Sequence, residues 1–79
     1  MDKKSQVKYM EKVVDELEAV VLMSEVEHRA LQTLFMGNPK NDGLNSTLIK
    51  VKQGKDINET KLRQARGLLQ ELQDGRFML

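Results

Sequence analysis

Seventy-nine residues, 39% apolar and 32% charged, with a formal net charge of +1, describe one small folded domain and exclude a disordered polyelectrolyte. The chain has no cysteine, so a disulfide framework and thiolate metal ligation are both ruled out, and the absence fits a reducing compartment. Its longest apolar run, residues 19–23, is far short of the roughly 20 residues that a membrane span requires.

The first predicted element covers residues 4–22. Val7, Met10, Val14, Leu17 and Val21 recur at steps of three and four, with Val13 and Val20 beside them. That spacing lays one apolar stripe along a helix. Ser24 followed by Glu27 has the form of a capping box. It predicts a second helix over residues 25–36 that buries Val26, Ala30, Leu31, Leu34 and Phe35. Gly37 is placed to take the left-handed conformation that closes a helix, and Pro39 to prevent its resumption. Residues 37–43 read as a loop.

Residues 44–53 carry two patterns. Leu44, Leu48 and Val51 suit a helix, whereas the alternation of Ile49, Lys50, Val51 and Lys52 suits a short strand. The helix is preferred because no second strand is available to pair. Gly54 ends this element, and Asp56 with Glu59 repeats the capping arrangement ahead of a last helix over residues 57–74. Leu62, Ala65, Leu69 and Leu72 line it, with Leu68 adjacent. Gly67 lies inside this helix at a cost of about 1 kcal/mol against alanine, which suggests close approach of another helix or local bending. Gly75 closes the helix and leaves residues 76–79 as a tail that packs or hangs free. The expected fold is therefore all-α, a single domain over residues 1–79 with three to four helices.

Catalytic chemistry has little to work with. His28 is the only histidine and reads as a helix-surface or partly packed residue. No nucleophile stands beside a base. Acidic pairs such as Asp15 and Glu18 read as a solvated helix face, so no metal or cofactor is expected. Gly54-Lys55 lacks the preceding glycine and the following Ser or Thr of a phosphate-binding loop. With no apolar signal core after Met1, the chain is expected to be intracellular, and the Asn45-Ser46-Thr47 and Asn58-Glu59-Thr60 sequons are expected to be chance matches.

Charge is distributed unevenly. Residues 50–66 hold Lys50, Lys52, Lys55, Lys61, Arg63 and Arg66 against Asp56 and Glu59, whereas residues 1–36 hold five cations against seven acids. A basic stretch on a small domain suits weak, sequence-independent contact with phosphate. Those six cations are the candidate nucleic-acid-binding residues. On the last helix, Arg63, Arg66, Gln70 and Gln73 share a face on which arginines could meet phosphate oxygens. The helix start near residues 56–59 adds free backbone donors, with two carboxylates competing for them. Tyr9, Phe35 and Phe77 are the only aromatics; none lies in the basic stretch, so base stacking has no evident platform. The alternative is a protein-interaction surface. Methionines usually fill core gaps, and of the five here Met23 and Met36, near helix ends, are the candidates for an exposed patch.

The run Lys12-Val13-Val14-Asp15-Glu16-Leu17-Glu18-Ala19-Val20-Val21, together with Asp56-Ile57-Asn58-Glu59-Thr60-Lys61-Leu62-Arg63-Gln64-Ala65-Arg66, resembles the small phage proteins encoded beside the UvsW helicase of phage T4. The likeness covers most of the chain and rests on the string as a whole. It implies a non-enzymatic, all-helical accessory to a phage DNA recombination and repair helicase, working in the bacterial host cytoplasm. Its implied partner is that helicase; single-stranded DNA as a further partner is inferred from the charge of residues 50–66 and not from the resemblance. Glu11-Lys12-Val13-Val14 with Ser24-Glu25-Val26-Glu27 and Ala30-Leu31 is more faintly similar to the Hha/YmoA nucleoid modulators, small helical proteins that act through a DNA-binding partner. Neither resemblance brings catalytic residues.

Overall fold

The computed structural model describes residues 2–79; Met1, one of the five methionines, lies outside the described residues. Two long helices account for most of the chain, α1 (Lys3–Gly37) and α2 (Asp42–Gln73). Each starts on a side-chain cap. The Asp2 carboxylate accepts the Ser5 N–H at 2.8 Å, and the bonds to the Ser5 backbone and hydroxyl hold its carboxyl below the usual range. The Asn41 side chain accepts the Leu44 N–H at 3.0 Å. Such caps satisfy donors that the first turn leaves unpaired. Between the helices, the Asn38 N–H donates to the Phe35 carbonyl and the Asn41 N–H to the Asn38 carbonyl. Pro39, which has no N–H to continue a helix, sits inside that turn.

The all-helical expectation holds, and residues 44–53 are helix. The expected number of helices does not hold: there are two, not three or four. Ser24 caps nothing. It lies inside α1, where its hydroxyl donates to the Val20 carbonyl at 2.9 Å. Gly54 does not end an element, and Asp56 starts none; its carboxylate pairs with Lys52 one turn back at 3.1 Å. Thr60, which would follow such a start, likewise donates its hydroxyl to the Asp56 carbonyl. Polar groups that resemble caps in sequence are thus satisfied along the helix at i and i+4. Gly37 closes α1 without a left-handed turn, since Gly75 is the only positive-φ residue among those described.

The helices run antiparallel and pack along one ladder. On α1 it carries Gln6, Met10, Val14, Leu17, Val21 and His28; on α2 it carries Leu62, Ala65, Leu69 and Leu72. The steps of three and four keep these residues on one line of each helix. Val14, Leu62 and Ala65 form the centre, with Leu17, Val21 and Leu69 packed around them. Asn58 donates its amide to the Ser24 hydroxyl across the hairpin at 2.9 Å. The tail does pack. Gly75, at φ 77°, turns it back so that the Leu79 N–H donates to the Gln6 side chain at 2.8 Å. The result is a rod of 55 × 16 × 15 Å, two helices thick.

Gly67 does not serve the close approach of another helix, because a Cβ there would meet nothing within 4 Å. Gly67→Ala is therefore expected to stabilise the hairpin by about 0.5–1 kcal/mol through helix propensity. A rise in the urea midpoint at unchanged slope, followed by the helical circular dichroism signal, checks this; a fall would reveal a hidden requirement for glycine.

Candidate binding surfaces

A two-helix hairpin has two broad sides, and here they differ in chemistry. Glu18 and Arg66 each follow an inward residue, Leu17 and Ala65, by one position. Their side chains meet across the hairpin at 2.9 Å, so positions one step after the ladder share one side. That side carries Glu11, Asp15, Glu18, Glu25 and Arg29 from α1, with Leu22 as an exposed apolar residue among them, and Lys52, Asp56, Glu59, Arg63 and Arg66 from α2. Three ion pairs lie on it, Arg29–Glu25, Lys52–Asp56 and Arg66–Glu18. It is the polar side.

Positions one step before the ladder turn back by about 100° and share the opposite side. There α1 places Tyr9, Val13, Glu16, Val20, Met23, Glu27, Ala30 and Leu34, and α2 places Lys50, Ile57, Lys61, Gln64, Leu68 and Glu71. Met23 is 71% exposed, and Tyr9, Leu34 and Ile57 are each more than half exposed. Leu34 was expected in the core with Val26 and Ala30, and all three are exposed; only Leu31 and Phe35 of that set are half-buried. Met23 and Met36 are exposed as expected. This is the apolar side, and nothing in the hairpin covers it.

The six candidate cations do not share one face. Lys52, Arg63 and Arg66 lie on the polar side, and Lys50 and Lys61 on the apolar side. Lys55 lies on the line facing α1. Acids engage half of them: Lys52 pairs with Asp56, Lys55 with Glu59 at 3.5 Å and Arg66 with Glu18. Among the described residues, Lys50, Lys61 and Arg63 have no ion pair. The strip of Arg63, Arg66, Gln70 and Gln73 does share the polar side, although the Gln70 amide is bonded to Asp74 at 3.1 Å. The backbone donors expected near residues 56–59 are not free, because that segment is helix interior.

Concave space is scarce. The surface depressions at Lys3, Lys4, Val7, Lys8 and Glu11 and at Asp56, Ile57, Thr60 and Lys61 are each walled by a single helix, so neither encloses a ligand. His28 is buried on the ladder at 8% exposure, away from either side. Among the described residues, no three His, Asp or Glu side chains gather in a way that could hold a metal ion. No described helix is long and apolar enough to cross a membrane.

The chain matches no family model, no curated protein and no solved structure. The apolar side is what sequence reasoning missed. Its signal was present as a second ladder of threes and fours, residues 9, 13, 16, 20, 23, 27, 30 and 34, running one position behind the first.

Proposed function

We propose that the chain is a non-enzymatic protein-interaction module, serving as a helical accessory to the DNA recombination and repair machinery of a phage. The apolar side carries this reading. Large apolar residues left uncovered along most of a helix mark contact surfaces, and no pocket competes with them. The recombination setting is drawn from the resemblance to the small proteins encoded beside a repair helicase, and the partner of that setting is the helicase itself. Binding should be centred on Val20 and Leu68 and change little with salt, because apolar burial rather than ion release drives it. A titration of labelled chain with a branched-DNA helicase, at low and high salt, tests this. Loss of binding in Val20→Glu with the helical signal intact supports it; failure of any repair helicase to bind removes the helicase assignment.

A second reading, weak contact with single-stranded DNA, is favoured by one observation: Arg63 is unpaired beside Arg66 on an exposed side. With about three cations available, log affinity should fall with log salt at a slope of about −2. Arg63→Glu combined with Arg66→Glu is expected to weaken binding to single-stranded DNA without unfolding the hairpin. Unchanged amide-shift perturbation of residues 50–66 in that variant would remove the nucleic-acid contact.

A further inference from the structure

We propose that the apolar side is covered by a second copy of this chain, two hairpins stacking into a four-helix bundle. This rests on the reading of that side as a protein-contact surface and names its occupant. Three observations support it.

The first is area. The chain exposes 5839 Å², whereas compact monomers of its 9.1 kDa expose about 4,900 Å². The excess, on the order of 900 Å², is close to the roughly 800 Å² that each partner buries in a specific interface. The hairpin is short of cover by about one interface.

The second is the geometry of the two ladders. A helix in a four-helix bundle touches two neighbours, and so needs two adjacent apolar strips rather than one. In α1 the inward ladder and the ladder through Tyr9, Val20, Met23 and Leu34 stand one residue apart, about 100° around the helix. In α2 the corresponding strip is mixed, with Ile57 and Leu68 standing among Lys50, Lys61, Gln64 and Glu71. Each hairpin thus supplies two of the four helices with their second strips already aimed the same way.

The third is charge. Ion pairs within the hairpin gather on the polar side. On the apolar side, Glu16 and Glu27 belong to α1, and Lys50, Lys61 and Glu71 to α2, and among the described residues none of them has an ion pair. A two-fold axis parallel to the helices lays α1 of one copy over α2 of the other. At the hairpin's own register, with Ser24 level with Asn58 and Glu18 with Arg66, that arrangement brings Glu27 of each chain within about one and a half turns of its partner's Lys61, twice over by symmetry, and leaves Glu16 level with Leu68 and beside Glu71. The alternative, α1 over α1, would set glutamate against glutamate. The Glu27–Lys61 approach favours this orientation over α1 on α1.

Sedimentation equilibrium of the purified full chain at high micromolar concentration tests the proposal. The expected mass is twice that of one chain. Val20→Glu and Leu68→Glu should each return it to one chain with the helical signal retained, whereas Leu22→Glu, on the polar side, should leave the dimer intact. If either apolar-side variant unfolds, charge reversal decides the matter without touching the core. Lys61→Glu should weaken dimerisation several-fold, and adding Glu27→Lys should restore it. A wild-type chain that sediments as one copy overturns the proposal, as does a dimer indifferent to both sets of substitutions. A one-copy chain that still binds a helicase through Val20 sinks this inference alone; a chain that binds neither itself nor a helicase sinks the protein-contact reading too.

Discussion

Leu72→Ala is expected to destabilise the hairpin by about 2–4 kcal/mol, the range for emptying a buried leucine site. Among the described residues, Leu72 is the one large side chain that is fully buried. It lies near the end of α2, where Gly75 turns the tail back and Leu79 reaches Gln6. The cavity left by alanine would open among elements that meet only there. A chain of this length is stable by roughly 4–12 kcal/mol in all, so this single truncation removes a large share. Leu69→Ala, one turn earlier and only partly buried, should cost about half as much. Urea unfolding at fixed protein concentration measures both, since any self-association would add its own stability. Equal and small losses at the two positions would mean that the tail does not close over Leu72.

Much of this hairpin was legible in its sequence. Val7, Met10, Val14, Leu17 and Val21 were placed on one stripe of the first helix by spacing alone, and Leu62, Ala65, Leu69 and Leu72 on one stripe of the last; all but Val7, whose place on the inward line Gln6 takes, face the partner helix. Helix boundaries were less legible, because the residues that announce a start also serve inside a helix. Ser24 with Glu27, and Asp56 with Glu59, have the spacing of a cap. Only the neighbouring turns decide whether the backbone donors nearby are free to be capped. Here Val20 and Lys52 had already supplied partners on the preceding turn. Treating residues 25–36 as a separate helix then rotated its apolar face freely. That is why Val26 and Leu34 were expected inside. Once α1 is continuous, its inward line is fixed by Met10 and Val14, and Leu34 falls on a flank.

The candidate cations were limited by the same missing information. Residue types located a basic stretch, but the side on which each cation lies depends on the register against α1. That register brings Glu18 to Arg66 and separates Lys50 and Lys61 from Arg63. The separation also weighs between the two functional readings. Phosphate contact gains from cations that act together within a Debye length of about 8 Å, and splitting them across a rod forfeits part of that gain. Apolar contact suffers no such loss, since Tyr9, Val20, Met23 and Leu34 stay in line on one helix.

Glu25→Pro separates a continuous α1 from a chain that breaks at Ser24. Were Ser24 a cap, residue 25 would be the first position of a new helix, where proline is well tolerated. Within an uninterrupted helix, the same proline removes a backbone hydrogen bond and clashes with the preceding turn, at a cost of about 3 kcal/mol or more. Losing the Arg29–Glu25 pair adds little, because Arg29 is largely exposed, Glu25 is 42% exposed, and such surface pairs contribute about 0–1 kcal/mol. Glu25→Ala measures that small part separately. The expected result is a large drop in the urea midpoint for proline, a small one for alanine, and loss of the Asn58–Ser24 hydrogen bond as the kink pulls the helices apart. A proline variant as stable as the alanine variant would mean that α1 ends near Ser24, and the two-helix rod, with the apolar side built on it, would have to be abandoned.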